Sequence, residues 1–262
     1  MRIKNKNDWC FRFFNSPDYL DIYQDMTDKE RTQKELAFCE KVLKWKPGQW
    51  ILDAPCGAGR HTLLLSRHDH HIVGLDFSTY LLSQAQKGIP QCMVRGTKPH
   101  FIQGMLQNLP LCSNTFDYII CLFSSYGYGE TEEENLQVMK EFYRVLRPGG
   151  KILIDVMNRN FIVPRMSAVY ESIQADLYVR EERTFSNHGR RLHNCIQVQD
   201  KEGNKRQYFY RPWLFNGWEL SWIAIQAGMK VVAIYGNFLA ETYQEYSERA
   251  MIVAEKSDSI SS

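Results

Sequence analysis

Residues 51–61 read Ile51-Leu52-Asp53-Ala54-Pro55-Cys56-Gly57-Ala58-Gly59-Arg60-His61, and a second apolar run, His71-Ile72-Val73-Gly74-Leu75-Asp76, follows soon after. Both runs are short and end in an acid, as strands of a buried sheet do, and Arg60 to Arg67 between them has helical spacing. Strand, glycine turn, helix and strand form the repeating unit of a parallel sheet, because parallel neighbours need a long crossover. Ligands bind such sheets beyond the carboxyl ends of the strands, where the strand order reverses. Gly57 and Gly59 let the chain turn tightly there and admit a ligand close to the backbone. Asp76 stands 19 positions after Gly57, where a carboxylate can accept from both hydroxyls of a ribose. Together they predict an adenosine-containing cofactor. A nicotinamide dinucleotide fits less well, since its third small residue would fall near His61-Thr62, and no pyrophosphate seat is evident. Asp53, pointing into the turn, would repel a pyrophosphate but suits a ligand with an ammonium and a sulfonium.

Upstream, Thr27-Asp28-Lys29-Glu30 has capping-box spacing, and Leu36, Cys39, Val42 and Leu43 continue a helical stripe that Pro47-Gly48 ends. Downstream, Thr79 to Lys87 reads as a helix, His100 to Gln103 as a weak third strand and Phe116 to Phe123 as a strong fourth. Thr131-Glu132-Glu133-Glu134 opens a helix that carries Leu136, Met139, Phe142, Tyr143 and Leu146 to Pro148-Gly149-Gly150, and Lys151 to Val156 is a fifth strand. From 159 to 213 the rhythm breaks. Leu177 to Arg180, Leu192 to Val198 and Gln207 to Trp213 are strand-like pieces around Asn187-His188-Gly189 and Lys201-Glu202-Gly203-Asn204, which predicts one or two antiparallel hairpins serving as a lid. Asn216-Gly217-Trp218-Glu219 caps a last helix that ends at Gly228, and Lys230 to Tyr235 and Arg249 to Ala254 supply two closing strands. The expected organisation is a single α/β domain with a helical cap (1–46), a cofactor-binding core (47–158), a β insert (159–213), a C-terminal helix with closing strands (214–256) and a loose tail (257–262).

The 262 residues carry 32 Lys plus Arg against 30 Asp plus Glu, so the positive excess that draws a protein onto nucleic acid or an anionic membrane is missing. With 44% apolar and 24% charged residues, global disorder is excluded. The longest apolar run, Tyr118 to Phe123, is far below the ~20 residues of a membrane span. The basic start, Met1 to Asp8, leads into no apolar signal stretch. Seven cysteines form no C-x-x-C pair, and their odd number argues against a disulfide framework. The expectation is a reduced, cytoplasmic protein, a monomer or homodimer without a membrane partner. His61, His68, His70 and His71 cluster in sequence, but no Cys or acid completes a ligand set, so no metal is expected and all four are expected at the surface.

Five segments together resemble the class I S-adenosylmethionine-dependent methyltransferases, in particular a bacterial small-molecule branch. They are Ile51 to His61, Val73 to Ser78, Phe116-Asp117-Tyr118-Ile119-Ile120, Leu122-Phe123-Ser124-Ser125-Tyr126-Gly127-Tyr128 and Val145-Leu146-Arg147-Pro148-Gly149-Gly150. Their order and spacing hold over residues 49–158, with weaker agreement over 216–256. The resemblance implies a Rossmann-like, doubly wound, mostly parallel seven-stranded sheet with helices on both faces and the antiparallel hairpin lid inserted. It implies S-adenosyl-L-methionine as cofactor and S-adenosyl-L-homocysteine as product. Asp53, Gly57 and Gly59 would border the methionine part with Cys56 and Leu122 beside them, Arg60 would meet its carboxylate, Asp76 would hold the ribose and Phe77 would flank the adenine. Where such families usually carry an acid after strand three, this chain has Met105, which leaves the adenine to backbone amides at Met105 and Leu106 or to Gln107 or Asn108. Tyr19 and Tyr23, from the segment that closes over the cofactor in similar proteins, are candidates for the methionine end.

A sulfonium methyl is already activated, and positioning alone supplies ~7–11 kcal/mol of barrier reduction. Tyr126 and Tyr128 are the candidates for a positioning or basic group, with His193 a weaker one on a hairpin. The turn Cys121-Leu122-Phe123-Ser124-Ser125 lacks the Asn or Asp, Pro-Pro and aromatic that mark enzymes methylating nucleobase amines. Arg180, Arg183, Arg190, Arg191, Arg206 and Arg211 interleave with Tyr178, Tyr208, Phe209 and Tyr210, a mixture that could grip RNA, but Glu181, Glu182, Asp200 and Glu202 dilute it. The expected activity is methyl transfer to N or O of a small-molecule acceptor. The alternatives are an RNA-directed methyltransferase, a noncatalytic cofactor- or RNA-binding module of the same fold, and nicotinamide-dependent oxidoreduction.

Overall fold

A computed structural model of the chain describes residues 10–92 and 97–257. The basic start and the tail beyond Ser257 fall outside the described residues. Two short helices, α1 (Phe11–Phe14) and α2 (Pro17–Tyr23), precede α3 (Lys29–Leu43). Then come β1 (Trp50–Asp53), α4 (Arg60–Leu65), β2 (His71–Asp76), α5 (Thr79–Cys92), β3 (His100–Gln103), β4 (Phe116–Cys121), α6 (Glu132–Val145) and β5 (Leu146–Met157). After α7 (Arg159–Ile162) follow β6 (Val169–Gln174), β7 (Leu177–Ser186), β8 (Arg191–Gln199) and β9 (Lys205–Tyr210), and α8 (Gly217–Gln226), β10 (Met229–Tyr235) and β11 (Arg249–Lys256) end the described chain.

The main sheet has seven strands in the order β10-β11-β5-β4-β1-β2-β3. The pairs β5-β4, β4-β1, β1-β2 and β2-β3 are parallel, while β11 runs antiparallel to both neighbours. The order reverses between β1 and β4, which opens a crevice at their carboxyl ends. Apolar cores lie on both faces. Leu52, Ile119, Ile152 and Ile252 pack with α6 and α8 on one side, and Ile51, Ile120, Leu153 and Met251 pack with α3 and α4 on the other.

Three helix starts show how local chemistry sets the ends. At α8, Asn216 Oδ1 accepts from Glu219 N at 2.9 Å and the Glu219 carboxylate accepts from Asn216 N at 3.1 Å, the reciprocal box expected. At α6, Thr131 Oγ1 accepts from Glu134 N at 3.2 Å, but the Glu134 carboxylate accepts from Glu130 N, one residue earlier than a box requires. At α3 the cap is Asp28, accepting from Arg31 N at 2.7 Å, and not Thr27, whose hydroxyl donates to Tyr23 O at 3.0 Å.

The insert is a four-stranded antiparallel sheet, β6-β7-β8-β9, one strand more than the sequence pieces suggested. Its inner face, with Val179, Ile196, Val198 and Tyr208, meets Phe13 and Ile22 of the N-terminal segment in a third apolar core. Asp18 of α2 fastens the two, accepting from Arg206 Nε at 2.7 Å and from the Tyr208 hydroxyl at 2.8 Å. The N-terminal segment is also tied to the main sheet, because Ser78 Oγ, just past β2, donates to Phe14 O at 2.7 Å.

Candidate active site

Between the strand ends and this double cover lies a cavity of about 470 Å³. Asp76, Gly57, Cys56, Arg60, Phe77, Met105, Leu106, Leu122, Tyr23, Tyr126 and Tyr128 all line it, so the structure brings together most of the residues singled out from sequence. Asp53 and Gly59 do not line it. Asp53 is buried behind the turn, accepting from Thr62 Oγ1 at 2.6 Å and Thr62 N at 3.2 Å, which organises the first turn of α4. Burial raises its pKa against the pull of His61 and Thr62. At Gly59 (φ +78°) a Cβ would lie 2.9 Å from the Phe101 ring, so that glycine serves packing of the turn. Gly57 (φ +55°) is different: a Cβ there would meet nothing within 4 Å, which fits close approach of a ligand.

Asp76, at the end of β2, accepts from backbone amides on both oxygens. Oδ2 accepts from Gly57 N and Oδ1 from Ser78 N, both at 2.8 Å. A carboxylate has about four lone-pair sites, so accepting capacity remains toward the cavity. Burial pushes its pKa up to about 6, against the lowering effect of the Ser78 and Gly57 amides. Met105 is 41% exposed at the rim, and Asn108 N donates to Met105 O at 3.2 Å across the turn after β3.

An aromatic wall covers this floor. Phe14 contacts Phe77, Tyr19 and Tyr128 with ring centroids 5.9, 4.9 and 5.5 Å apart, and Tyr19 leads through Tyr23 to Phe123. Burial raises the hydroxyl pKa values of Tyr19, Tyr23 and Tyr128, which keeps these groups neutral. Burial lifts the Cys56 thiol as well, which keeps it protonated and apolar in character. Tyr126 also lines the cavity; its buried hydroxyl donates to Asn135 O at 2.7 Å and its ring packs on Phe215, which braces the loop before α6. His193 lies on β8 outside the cavity lining, with Nε2 2.7 Å from Ser186 Oγ.

Several lining or supporting residues escaped the sequence reading. Phe123 and Ser124, directly after β4, both take left-handed backbone conformations (φ +61° and +57°), which bulky residues adopt only where surroundings enforce them. The enforcing group is Asp155 on β5. Its Oδ2 accepts from Phe123 N at 3.0 Å, and Arg249 grips both its oxygens at 2.7 Å. Glu35 on α3 is buried and binds Arg31 Nε at 3.0 Å, His61 Nε2 at 2.8 Å and the Arg60 guanidinium. Arg31 and Arg60 lie over the Phe123 ring at 5.3 and 5.2 Å. His61 and His70 are thus buried, contrary to the surface placement expected; an amphipathic helix start and the floor under Trp45 cover them. The signal for Glu35 was present: it shares the buried stripe of Leu36, Cys39 and Leu43. Ser16-Pro17, a helix start with Pro in the first turn, likewise marks α2.

Residues 51–150 match a methyltransferase domain family. A curated relative, the demethylmenaquinone methyltransferase of Bacillus mycoides (strain KBAB4), is 28% identical over 147 residues, covering 51% of this chain and 59% of its own length. The chain thus spans about six tenths of the length of that relative. Among solved structures, an S-adenosylmethionine-dependent methyltransferase from Clostridium acetobutylicum superposes with TM-score 0.77 at 15% identity, covering 92% of this chain and 96% of that one. A sugar N-methyltransferase from a Streptoalloteichus species superposes with TM-score 0.68 at 17% identity, covering 92% and 93%.

Proposed function

We propose that the chain is a class I S-adenosylmethionine-dependent methyltransferase, as its methyltransferase-domain match and its fold support, and that it moves a methyl group from that cofactor to N or O of a small-molecule acceptor held under the double cover. The observation that carries this reading is Asp76, a buried carboxylate that faces the cavity with accepting capacity unused, beside a glycine whose Cβ side is open. When bound, S-adenosylmethionine supplies a methyl already activated on a sulfonium. Asp76 accepts from the ribose hydroxyls, and Phe77 with the Met105-Leu106 turn packs the adenine. Arg60 lines the cavity and has a buried Nη2 without a hydrogen-bond partner, a donor that the cofactor carboxylate would satisfy. Gly57, Cys56 and Leu122 shape the floor. Tyr23 and Tyr128 exclude water and orient the acceptor, so the chemistry rests on alignment more than on proton removal.

A cavity of about 470 Å³ falls in the ~300–1,000 Å³ range of small-molecule sites. Support against RNA comes from the insert, where Arg180, Arg183, Arg190, Arg191 and Arg206 are each matched to a carboxylate and offer no surplus charge to phosphates. No described helix is long and apolar enough to cross a membrane. Cys10, Cys39, Cys56, Cys112, Cys121 and Cys195 are free thiols, which suits a reducing cytoplasm. The test is calorimetry with S-adenosylhomocysteine, followed by incubation of the protein with labelled cofactor and a cell extract and mass spectrometry for products heavier by one methyl. Absence of S-adenosylhomocysteine binding by the wild type removes the reading.

A further inference from the structure

Glu35 has no reason to be buried if α3 is only a cover. It is 1% exposed on the buried stripe of α3, yet its carboxylate is bonded to the start of α4. Its two oxygens take Arg31 from its own helix, four residues earlier, and Arg60 and His61 from the start of α4. Thr32, also on α3, accepts from Arg60 Nη1 at 3.0 Å, so one side of the guanidinium is fixed twice by the same helix. The ring of Phe123, locked in its left-handed turn, supports the guanidinium plane at 5.2 Å. With Nη1 and the ring face both committed, Nη2 is buried and lacks a partner. Leaving such a donor unmatched is unfavourable, and a planar carboxylate is the group that a guanidinium fork matches best.

We infer that Glu35 is a positioning residue for the amino-acid end of the cofactor: it holds Arg60, and with it the junction of α3 and α4, so that a ligand carboxylate completes the arginine and draws the N-terminal cover onto the core. The inference rests on the cofactor reading above and sharpens it, because the arginine that meets the ligand's carboxylate is set by an acid that does not itself line the cavity. Glu35 contributes by fixing a cation, not by touching the ligand.

The test uses the full chain and two ligands measured by calorimetry. S-adenosylhomocysteine has the amino-acid tail; 5′-methylthioadenosine keeps the adenosine and the sulfur but has no carboxylate. For Glu35→Gln the affinity for S-adenosylhomocysteine falls about tenfold to hundredfold while that for 5′-methylthioadenosine changes by less than about twofold, and Glu35→Asp recovers part of the loss. Should Glu35→Gln fail to fold, as judged by circular dichroism, Glu35→Asp, whose shorter side chain loosens the hold on Arg60, carries the test with a smaller loss expected for S-adenosylhomocysteine alone. Equal losses for both ligands in a folded variant, or an unchanged preference in the variant that carries the test, overturn the inference. Wild-type protein that does not bind S-adenosylhomocysteine overturns the cofactor reading itself, whereas wild-type binding with no selective loss in the variants overturns this inference alone.

Discussion

At the end of β2 a buried carboxylate is held by uncharged backbone amides; at the junction of α3 and α4 another is held by guanidiniums and an imidazole. Burial disfavours the charge of both. At Asp76 the amides of Ser78 and Gly57 offset only part of that cost, and the pKa stands at about 6. At Glu35 burial is outweighed by hydrogen bonds and charge from His61 and Arg60, and the pKa is held down to about 2. The difference teaches what each arrangement is suited to. Neutral donors leave lone pairs open for a ligand's hydroxyls but leave the group easily protonated, whereas cationic partners saturate the acid and make it a permanent fixture.

The largest effect that would break this comparison is at the open acid. Asp76→Ala is expected to lower affinity for S-adenosylhomocysteine at least about a hundredfold by calorimetry, through loss of charge-assisted hydrogen bonds to the ribose. An affinity within a few-fold of wild type would remove Asp76 from the site. Next comes the fastening of the cover. Asp18→Ala leaves Arg206 with Asp200 and Tyr208 with Ser16 as remaining partners and is expected to destabilise the fold by about 1–2 kcal/mol, with proteolysis appearing first in residues 10–23.

Titration sharpens the contrast further. Below pH 6 Asp76 takes up a proton, so cofactor affinity should fall by up to about tenfold per pH unit, and Asp76→Asn should bind weakly with no such slope. Stability responds in opposite senses at the two acids. Glu35 binds its proton more weakly in the folded chain than the ordinary 4.5, so its contribution is complete above that value and is lost as pH falls toward about 2. Asp76 binds its proton more tightly than the ordinary 3.8, so its ionisation erodes stability as pH rises from there through about 6. Melting curves of wild type and Glu35→Gln should therefore converge as the pH drops below 4.5. The smallest effect expected is at Tyr126. Tyr126→Phe should cost about 1 kcal/mol of stability and leave kcat within a factor of about two; a tenfold fall in kcat would mark it as a catalytic group.

The same contrast marks what the sequence makes legible. The floor of the site follows from short-range signals: β2 and β3 are the runs His71–Asp76 and His100–Gln103, and Asp76 stands out because a strand-ending acid at that spacing suits the hydroxyls of a ribose. The cover does not. α1 is only four residues long, and it is held by ring contacts to residues far along the chain, not by any periodicity of its own. β6 is an edge strand whose residues are mostly exposed, Ile173 at 76%, and it turns into β7 through Ala175 and Asp176 with positive φ and no glycine, so neither alternation nor a turn residue announces it. Asp53 shows the opposite limit. Its position in the motif is plain, but only the structure reveals that Thr62 turns it away from the cavity.

The roof over the cavity is stitched from the opening residues and from β9, with Ser16 and Tyr208 in hydrogen-bond contact at a separation of 192 positions. A nascent chain therefore makes β1 to β4, which carry the floor, before it can acquire a ceiling. Exchanging the hairpins alone, as an engineer seeking a new acceptor would be tempted to do, leaves Phe13 and Ile22 facing a foreign surface. Retargeting this scaffold means transplanting both pieces as one unit.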